Sequence, residues 1–294
     1  MKMKPTGWRI FSEPLAVAIG LVILADGASA QHYPAGVEGI KGASLPPPGV
    51  YLRDYNYFYF ADEFPGGPAG FDAFVYVDAP RLVWMTGWKI LGADYGMDVV
   101  VPFGYANIKV TGTKDNRFGL GDIEMKPVIL SWHVKQFDFS TAYGFWSPSG
   151  DFNPNRLANL GKGFWTHMLE ASVTWYPDAD KNWAVSLLNW YEINQKQANT
   201  GVTLGQTLTS EWGISKTVAK GVDVGLVGYA QQQTTANTGP GTSGSLSHVF
   251  AIGPEICGMI PKINVITSVR YLREFGAKDH SEGNTVTLTL TKRF

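Results

Sequence analysis

Charge and cysteine are both scarce in this chain. Charged residues make up 17% of its 294 residues, the formal net charge is −1, and Cys257 is the single cysteine. A charge balance this close to zero argues against nucleic acid as a partner, because nucleic-acid binding needs a clustered basic face. A single cysteine cannot form an internal disulfide. Cys257 lies in a strand-like segment, and we expect it to be a small apolar packing residue.

Long apolar runs are absent after residue 25. The run at 15–25 follows a basic stretch at 2–9 and precedes Ala28-Ser-Ala30. It is too short to cross a membrane core, which takes about 17–25 residues. The pattern therefore predicts an export signal over residues 1–30 that is cleaved before Gln31. An uncleaved membrane anchor is the alternative, and the absence of cysteine at the junction argues against a lipoprotein.

Helical patterns of 10–15 residues are also lacking, which argues against α/β architectures. The chain instead shows twelve alternating segments between turn-rich gaps. They cover residues 50–60, 81–91, 93–106, 121–133, 136–147, 164–176, 182–195, 206–217, 221–234, 246–258, 262–276 and 284–294. We predict an all-β fold, a transmembrane antiparallel outer-membrane β-barrel of about 12 strands. A soluble β-sandwich is the rival, but it would keep its aromatic residues in a core rather than at strand ends.

The final strand shows the alternation most clearly. Val286, Leu288 and Leu290 alternate with threonines, and the chain ends on Phe294. In an outer-membrane barrel the apolar side faces lipid, the hydroxyl groups face the lumen, and the terminal aromatic lies at the interface. We expect this strand to contact the outer-membrane lipid. We also expect the barrel-assembly machinery to recognise it as the C-terminal strand.

The segment from Trp165 to Trp175 has the length that such a strand requires. Ten steps of about 3.3 Å give about 33 Å, which a tilt of about 40° projects to roughly 25 Å, the height of the apolar band. Both tryptophans are therefore expected at the membrane interfaces.

In the segment 121–133 the apolar alternation changes phase, and a bulge at Pro127 would reconcile the two halves. The first strand is aromatic on both faces, so its orientation stays open.

The lengths of the links between strands indicate which end of the barrel is periplasmic and which is extracellular. The short links at 177–182 and 218–221 are typical of periplasmic or tight turns, and the longer link at 234–245 is typical of an extracellular loop. Residues 31–49 form a Gly/Pro-rich N-terminal segment before the barrel of residues 50–294. That segment is either a periplasmic tail or packs in or against the barrel mouth, and its stiff Pro46-Pro-Pro48 favours packing.

Six stretches in series resemble one family. They are GVEGIKGASLPPPGVYLRDYNYFY at 36–59, GLGDIEMKPVILSW at 119–132, GFWSPSGDFNPNRLANLGKGFWT at 144–166, GISKTVAKGVDVGLVGYAQQQTT at 213–235, AIGPEI at 251–256 and REFGAKDHSEGNTVTLTL at 273–290. The chain is similar to the outer-membrane proteins named for the meta-pathway of phenol degradation. That resemblance implies a barrel that takes up hydrophobic or aromatic small molecules, and it brings no catalytic motif.

Charged residues on predicted lumen faces are candidates for contact with a passing compound, although a solvated polar wall is the commoner reason for such residues. The candidates are Asp122, Glu124, Lys126, Glu211, Arg270 and Glu274. The loop at 146–163 is either a gate or an ordered turn with side-chain caps. Its gating candidates are Asp151, Asn153, Asn155 and Arg156.

Catalytic and metal-binding patterns are missing. Ser247 and His248 are adjacent in a strand and should point to opposite faces, so they do not form a nucleophile and its base. The histidines show no ligand spacing, and we expect no metal and no cofactor.

We therefore predict an outer-membrane channel for passive entry of small hydrophobic or aromatic compounds, not an enzyme. The alternative is an occluded structural or adhesive barrel without transport. The short segment before the first strand leaves no room for an energy-coupled plug domain.

Overall fold

The computed structural model describes residues 31–294, so the predicted export signal over 1–30 lies outside the described residues. Fourteen strands follow in chain order. They are β1 (Gly49–Glu63), β2 (Asp72–Ile90), β3 (Ala93–Val100), β4 (Phe103–Val110), β5 (Thr113–Leu120), β6 (Ile123–Val134), β7 (Phe137–Ser147), β8 (Thr166–Trp175), β9 (Trp183–Asn194), β10 (Thr207–Ala219), β11 (Val222–Gln233), β12 (His248–Ile260), β13 (Val265–Lys278) and β14 (Glu282–Arg293). Within residues 31–294, no helix is long and apolar enough to cross a membrane.

Twelve of these strands close an antiparallel barrel, which confirms the predicted fold class. The order is β1-β2-β3-β6 and then β7 to β14 in sequence, and β14 pairs with β1 from Tyr51↔Arg293 to Glu63↔Glu282. The remaining two strands, β4 and β5, form a hairpin that pairs with the first half of β2. This hairpin prolongs the wall beyond the closed ring.

Two strand predictions need correction. Strand β2 begins at Asp72 rather than near 81, and the expected strand 93–106 is divided into β3 and β4 at Val101–Pro102. Pro102 cannot donate to the ladder, which explains the interruption. Strand β5 was not predicted, because its sequence TKDNRFGL is mostly polar and gives no apolar alternation. Its pairing comes from the tight turn at Thr111–Gly112, where both residues have positive φ.

The two faces of the wall follow the alternation that the sequence shows. On β14 the threonines at 285, 287 and 289 are buried inside the barrel, whereas Val286 is exposed on the outer face. Trp165 and Trp175 are both exposed on the outer face at opposite ends of β8. The bulge at Pro127 is confirmed, since the register shifts between Met125 and Val128.

The barrel has one end with short turns and one with long loops. The turn at 135–136 and the chain end at Phe294 lie at the first end, which is the periplasmic end in barrels of this type. The loops at 148–165 and 234–247 lie at the other, extracellular end.

The N-terminal segment, residues 31–48, lies in the lumen, with His32 toward the extracellular end and residue 48 at the periplasmic end, where β1 begins. Its side chains Tyr33, Ala35, Val37, Ile40 and Ala43 are buried against the inner wall. On β1, the open orientation is settled: Tyr51 and Tyr55 are buried inward, and Leu52 is exposed outward. The apolar core of the protein thus lies between the N-terminal segment and the barrel wall.

Candidate functional site

Three glutamates on the inner wall hold the backbone of the N-terminal segment. Glu192 on β9 accepts hydrogen bonds from the amides of His32 and Tyr33, at 2.8 and 3.0 Å. Glu211 on β10 accepts from the amides of Gly36 and Glu38, at 2.8 and 3.1 Å. These bonds attach the backbone of the segment to two neighbouring strands of the wall.

The third glutamate, Glu255 on β12, extends this row. It accepts a hydrogen bond of 2.9 Å from the amide of Ile40. Its carboxylate also pairs with Arg270 at 2.8 Å, and Arg270 in turn donates to the carbonyl of Gly36. Side chains of four strands, β9, β10, β12 and β13, therefore hold the segment from His32 to Ile40.

A network of buried charges ties the middle of the segment to β2. Arg81 pairs with Glu38 at 2.8 Å and with Asp98 at 2.5 Å, and Arg53 pairs with Glu38 at 3.1 Å. Burial raises the pKa of Glu38, but Arg53 and Arg81 outweigh it and hold the pKa at about 2. Glu38 is therefore ionised at neutral pH, and the network stays charged.

The tip of the segment is held by His32. Its Nε2 lies 2.8 Å from Asp122, and its Nδ1 lies 2.8 Å from the Thr166 hydroxyl. The imidazole stacks on Trp146 with 5.6 Å between ring centroids. Burial lowers the pKa of His32 to about 4, although the hydrogen bond to Asp122 opposes that change. The ring is thus neutral at pH 7.

Two cavities remain in the lumen on either side of the segment, and Glu38 and Arg81 line both. The upper cavity, toward the extracellular end, has a volume of about 310 Å³. The lower cavity, toward the periplasmic end, has a volume of about 590 Å³. The segment lies between them, and the two cavities meet at Glu38 and Arg81.

The upper cavity has an apolar side and a polar side. Rings and aliphatic side chains from β1, β2 and the neighbouring strands form the apolar side: Tyr55, Tyr57, Val75, Val77, Ala79 and Pro102. The polar side includes Glu124, Lys126, Gln231 and Glu274. This mixture suits a small, mostly apolar compound.

All six predicted lumen residues are buried inside the barrel. They are Asp122, Glu124, Lys126, Glu211, Arg270 and Glu274. Asp122, Glu211 and Arg270 contact the N-terminal segment, and Glu274 binds the hydroxyl groups of Tyr59 and Tyr229. The structure does not bring them into one ring. Asp122, just before β6, and Glu274, on β13, lie on opposite sides of the barrel. Their role in passage stays a prediction.

The predicted gating residues form their own local turns. Asp151 pairs with Arg156 at 2.7 Å, and the Asn153 side chain accepts from the amide of Asn155 at 2.9 Å. These contacts match the capped-turn alternative. The later part of the same loop turns inward, where Leu160 lines the upper cavity. A gating role of this loop is untested.

Several charged lumen residues were not predicted, namely Arg81, Asp98, Glu192 and Glu255. Arg81 and Glu255 each lie on the inner face of a strand whose other inward residues are small or apolar, whereas Asp98 shares its face with Asp94 and Glu192 shares its face with Asn194. For Arg81 and Glu255, a lone charge among small or apolar inward residues is the sequence feature that marks them. The N-terminal segment, which Arg81, Glu192 and Glu255 contact, is distant from them in sequence, so these contacts have no local pattern.

One row of side chains resembles a catalytic triad. Ser131 lies 3.3 Å from His133 Nε2, and His133 Nδ1 lies 2.8 Å from Asp138. Ser131 is only 1% exposed and lines neither cavity, so a substrate has no access to its hydroxyl. Ser247 and His248 do lie on opposite faces, with Ser247 buried and bonded to Gln233.

Metal ligands are not grouped within residues 31–294, where no cluster of three His, Cys, Asp or Glu could hold an ion. The histidines are spread over the barrel at 32, 133, 167, 248 and 280. Cys257 lines the lower cavity.

A closed antiparallel barrel with an apolar outer band and a polar lumen defines an outer-membrane β-barrel protein. Residues 55–290 match the family model described as "Putative MetA-pathway of phenol degradation". The chain belongs to this family. No curated protein matches the chain.

Solved structures show the same architecture. An outer membrane channel from Pseudomonas putida F1 has a TM-score of 0.77 at 14% identity, covering 90% of this chain and 100% of that chain. The translocator domain of the autotransporter NalP from Neisseria meningitidis has a TM-score of 0.51 at 9% identity, covering 86% of this chain and 91% of that chain. At these identities the likeness concerns the fold alone.

Proposed function

We propose that the protein is a non-catalytic channel through which small hydrophobic or aromatic compounds enter across the outer membrane by passive diffusion. The upper cavity carries this proposal. Its volume of about 310 Å³ exceeds the roughly 150 Å³ that suffices for an apolar cavity to bind benzene. Its tyrosine rings and valines supply the apolar surface that such a compound needs. The family description, which concerns phenol degradation, is consistent with this class of compound.

The N-terminal segment favours apolar cargo over ions. A charged solute that followed the lumen would have to pass Glu38 and Arg81, which are paired to each other and buried. Displacing such a pair costs several kcal/mol, on the order of 3–5 when one partner is lost. We therefore expect low ionic conductance together with measurable uptake of apolar compounds.

The second candidate is an occluded structural or adhesive barrel. The observation that favours it is the same segment, which lies in the lumen between the two cavities. In this case the cavities would be packing voids, and no compound would cross.

Uptake by cells separates the two candidates. Cells with and without the gene are given radiolabelled toluene and, in parallel, radiolabelled phenol, and initial rates are compared. Faster uptake in cells that carry the gene supports the channel. If cells with and without the gene take up each compound at the same rate, and the protein shows no conductance in planar bilayers, the occluded barrel is the function that remains.

A further inference from the structure

The carboxylate of Glu170, on the inner face of β8, has an oxygen that the fold does not use. The hydroxyl groups of Ser140 and Ser172 both donate to its Oε1, at 2.6 and 2.8 Å. Within residues 31–294, Oε2 accepts no hydrogen bond and Glu170 forms no ion pair. Each oxygen of a carboxylate can accept about two hydrogen bonds, so the capacity of Oε2 is free.

This carboxylate is open to the lower cavity. Glu170 lines that cavity and is partly exposed. It differs in this respect from Glu192, which is 0% exposed and lines neither cavity. A molecule in the lower cavity can therefore reach the carboxylate of Glu170.

Apolar side chains border the carboxylate. Trp190 on β9 is the ladder partner of Glu170, and Leu188 lies on the same inner face of β9. Both line the lower cavity and belong to one apolar cluster, against which Leu45 of the N-terminal segment packs. Leu45 also packs against the cluster that contains Val83, another lining residue. The lower cavity thus offers apolar surface next to a hydrogen-bond acceptor.

The charges near Glu170 favour a neutral ligand. The Lys126 ammonium lies 4.9 Å from the ring centroid of Trp190, and Arg53 and Arg81 line the same cavity as Glu170. These cationic groups oppose a ligand with a positive charge, and the Glu170 carboxylate opposes a ligand with a negative charge. A hydroxyl group provides one hydrogen-bond donor and no net charge, so it matches the free oxygen.

We propose that the lower cavity binds neutral compounds that carry a hydroxyl group on a small apolar body, with Glu170 Oε2 accepting the hydroxyl hydrogen. The volume of about 590 Å³ leaves room for such a compound, since roughly 150 Å³ suffices for an apolar cavity to bind benzene. This inference rests on the proposed function, because it names the compounds that the periplasmic side of the channel retains.

Glu170 makes the lower cavity selective. A hydrocarbon of the same size removes solvent from Oε2 and returns no hydrogen bond, which is costly for a carboxylate. Sites that hydrogen-bond a hydroxyl group reject analogues without one for this reason. The upper cavity takes the apolar body alone, so the two cavities differ in the compounds that they bind.

Phenol and toluene test this selectivity, because they have nearly the same size and differ by a hydroxyl group. Binding of each radiolabelled compound is measured at pH 7 on the purified protein in detergent. Val77→Trp is the background, since Val77 lines the upper cavity and not the lower one. With the upper cavity filled, we expect phenol to bind about tenfold more tightly than toluene, a difference of about 1.4 kcal/mol.

Glu170→Leu removes the acceptor in the same background. Phenol affinity is expected to fall about tenfold, and toluene affinity is not expected to fall. The barrel should still fold, because the hydroxyl groups of Ser140 and Ser172 are close enough to bond each other. Thr291→Val is the matched control, since it removes a polar group from the lining of the same cavity on β14, at the opposite side of the barrel. It should leave both affinities unchanged.

A second variant covers the case in which Glu170→Leu gives no folded band on unboiled gels. Glu170→Gln keeps the size of the side chain and exchanges a charged acceptor for a neutral one. Because hydrogen bonds to charged groups are the stronger ones, phenol affinity should then fall about threefold while toluene affinity stays the same.

The outcomes distinguish the hydroxyl site from the proposed function. Equal affinities for phenol and toluene in the Val77→Trp protein, phenol affinity that survives loss of the Glu170 carboxylate, or an equal loss in Thr291→Val overturns the hydroxyl site. The channel still stands in these cases if cells with the gene take up toluene faster. Absence of gene-dependent uptake of both compounds overturns the channel, whereas selective binding of phenol by the purified protein still supports the hydroxyl site.

Discussion

Arg81 on strand β2 and Glu38 in the N-terminal segment form a buried ion pair of 2.8 Å inside the barrel. The two residues are far apart in sequence, and their contact lies between the two cavities of the lumen. The pair therefore anchors the segment at the point where the two cavities meet.

Loss of Arg81 should destabilise the protein strongly. Arg81→Gln leaves the carboxylates of Glu38 and Asp98 without their shared partner, and removing one member of a buried pair costs about 3–5 kcal/mol. The temperature at which the folded band disappears on unboiled gels measures this effect. Arg273→Gln is the matched control, since the Arg273 side chain is exposed and its pair with Glu282 is 4.0 Å long. An equal shift in both variants would contradict the anchoring role.

Gly39 should be essential for seating the segment. Its φ of +74° disfavours any side chain, and a Cβ there would collide with Arg270 and Glu255. Gly39→Ala should therefore displace the segment and raise single-channel conductance in planar bilayers. Gly42→Ala is the control, because the nearest atom to a Cβ at that position is 3.4 Å away. Wild-type conductance in Gly39→Ala would show that the segment does not limit the flow of ions.

Acidification should loosen the tip of the segment through His32. The bound imidazole has its pKa lowered from 6.5 to about 4, so its neutral form is favoured while the segment is seated. The stability that the neutral His32 ring contributes is complete above pH 6.5 and is lost as pH falls from 6.5 to 4. In this range the ring of the released segment takes up a proton, whereas the ring of the seated segment does not. The lowered pKa corresponds to roughly 3 kcal/mol of free energy that favours the seated segment at neutral pH.

Unfolding temperatures of wild type and His32→Asn between pH 7 and pH 4 check this pH dependence. The difference between the two proteins should shrink as pH falls, since other titrating groups are common to both. A difference that is constant with pH would mean that His32 does not titrate in this window.

Phe294 should matter for assembly rather than for the finished barrel. It lies at the periplasmic end, 71% exposed, with its amide bonded to the Val50 carbonyl at 2.9 Å. Phe294→Ala should lower the fraction of protein that reaches the folded, heat-modifiable form in cells, as expected if the barrel-assembly machinery receives this end of the chain. Lys292→Ala is the control on the same strand. Normal assembly of Phe294→Ala would contradict the proposed recognition.

Much of the wall could be predicted from local alternation. The threonine and valine pattern of β14 and the phase change at Pro127 report directly which side chains face lipid, because neighbouring strand residues point to opposite faces. Strand β5 escaped prediction because its pairing depends on a turn and a partner strand rather than on apolar residues of its own.

The lumen could be predicted only in part. Inward charges such as Glu211 and Arg270 were identified from strand parity, but their partners were not, since Glu211 binds a segment 175 residues away. Arg81 and Glu192 have the same property. Contacts between a barrel wall and an inserted segment follow no sequence period, so only the folded chain reveals them.

Binding of radiolabelled toluene to the purified protein in detergent tests the central claim most directly. Val77→Trp fills the upper cavity, and Ile266→Trp, which changes the lower cavity, is the control. We expect saturable binding in the wild type and in Ile266→Trp, and its loss in Val77→Trp. Absence of saturable binding in the wild type, or equal binding in both variants, would contradict a hydrophobic-compound site in the upper cavity.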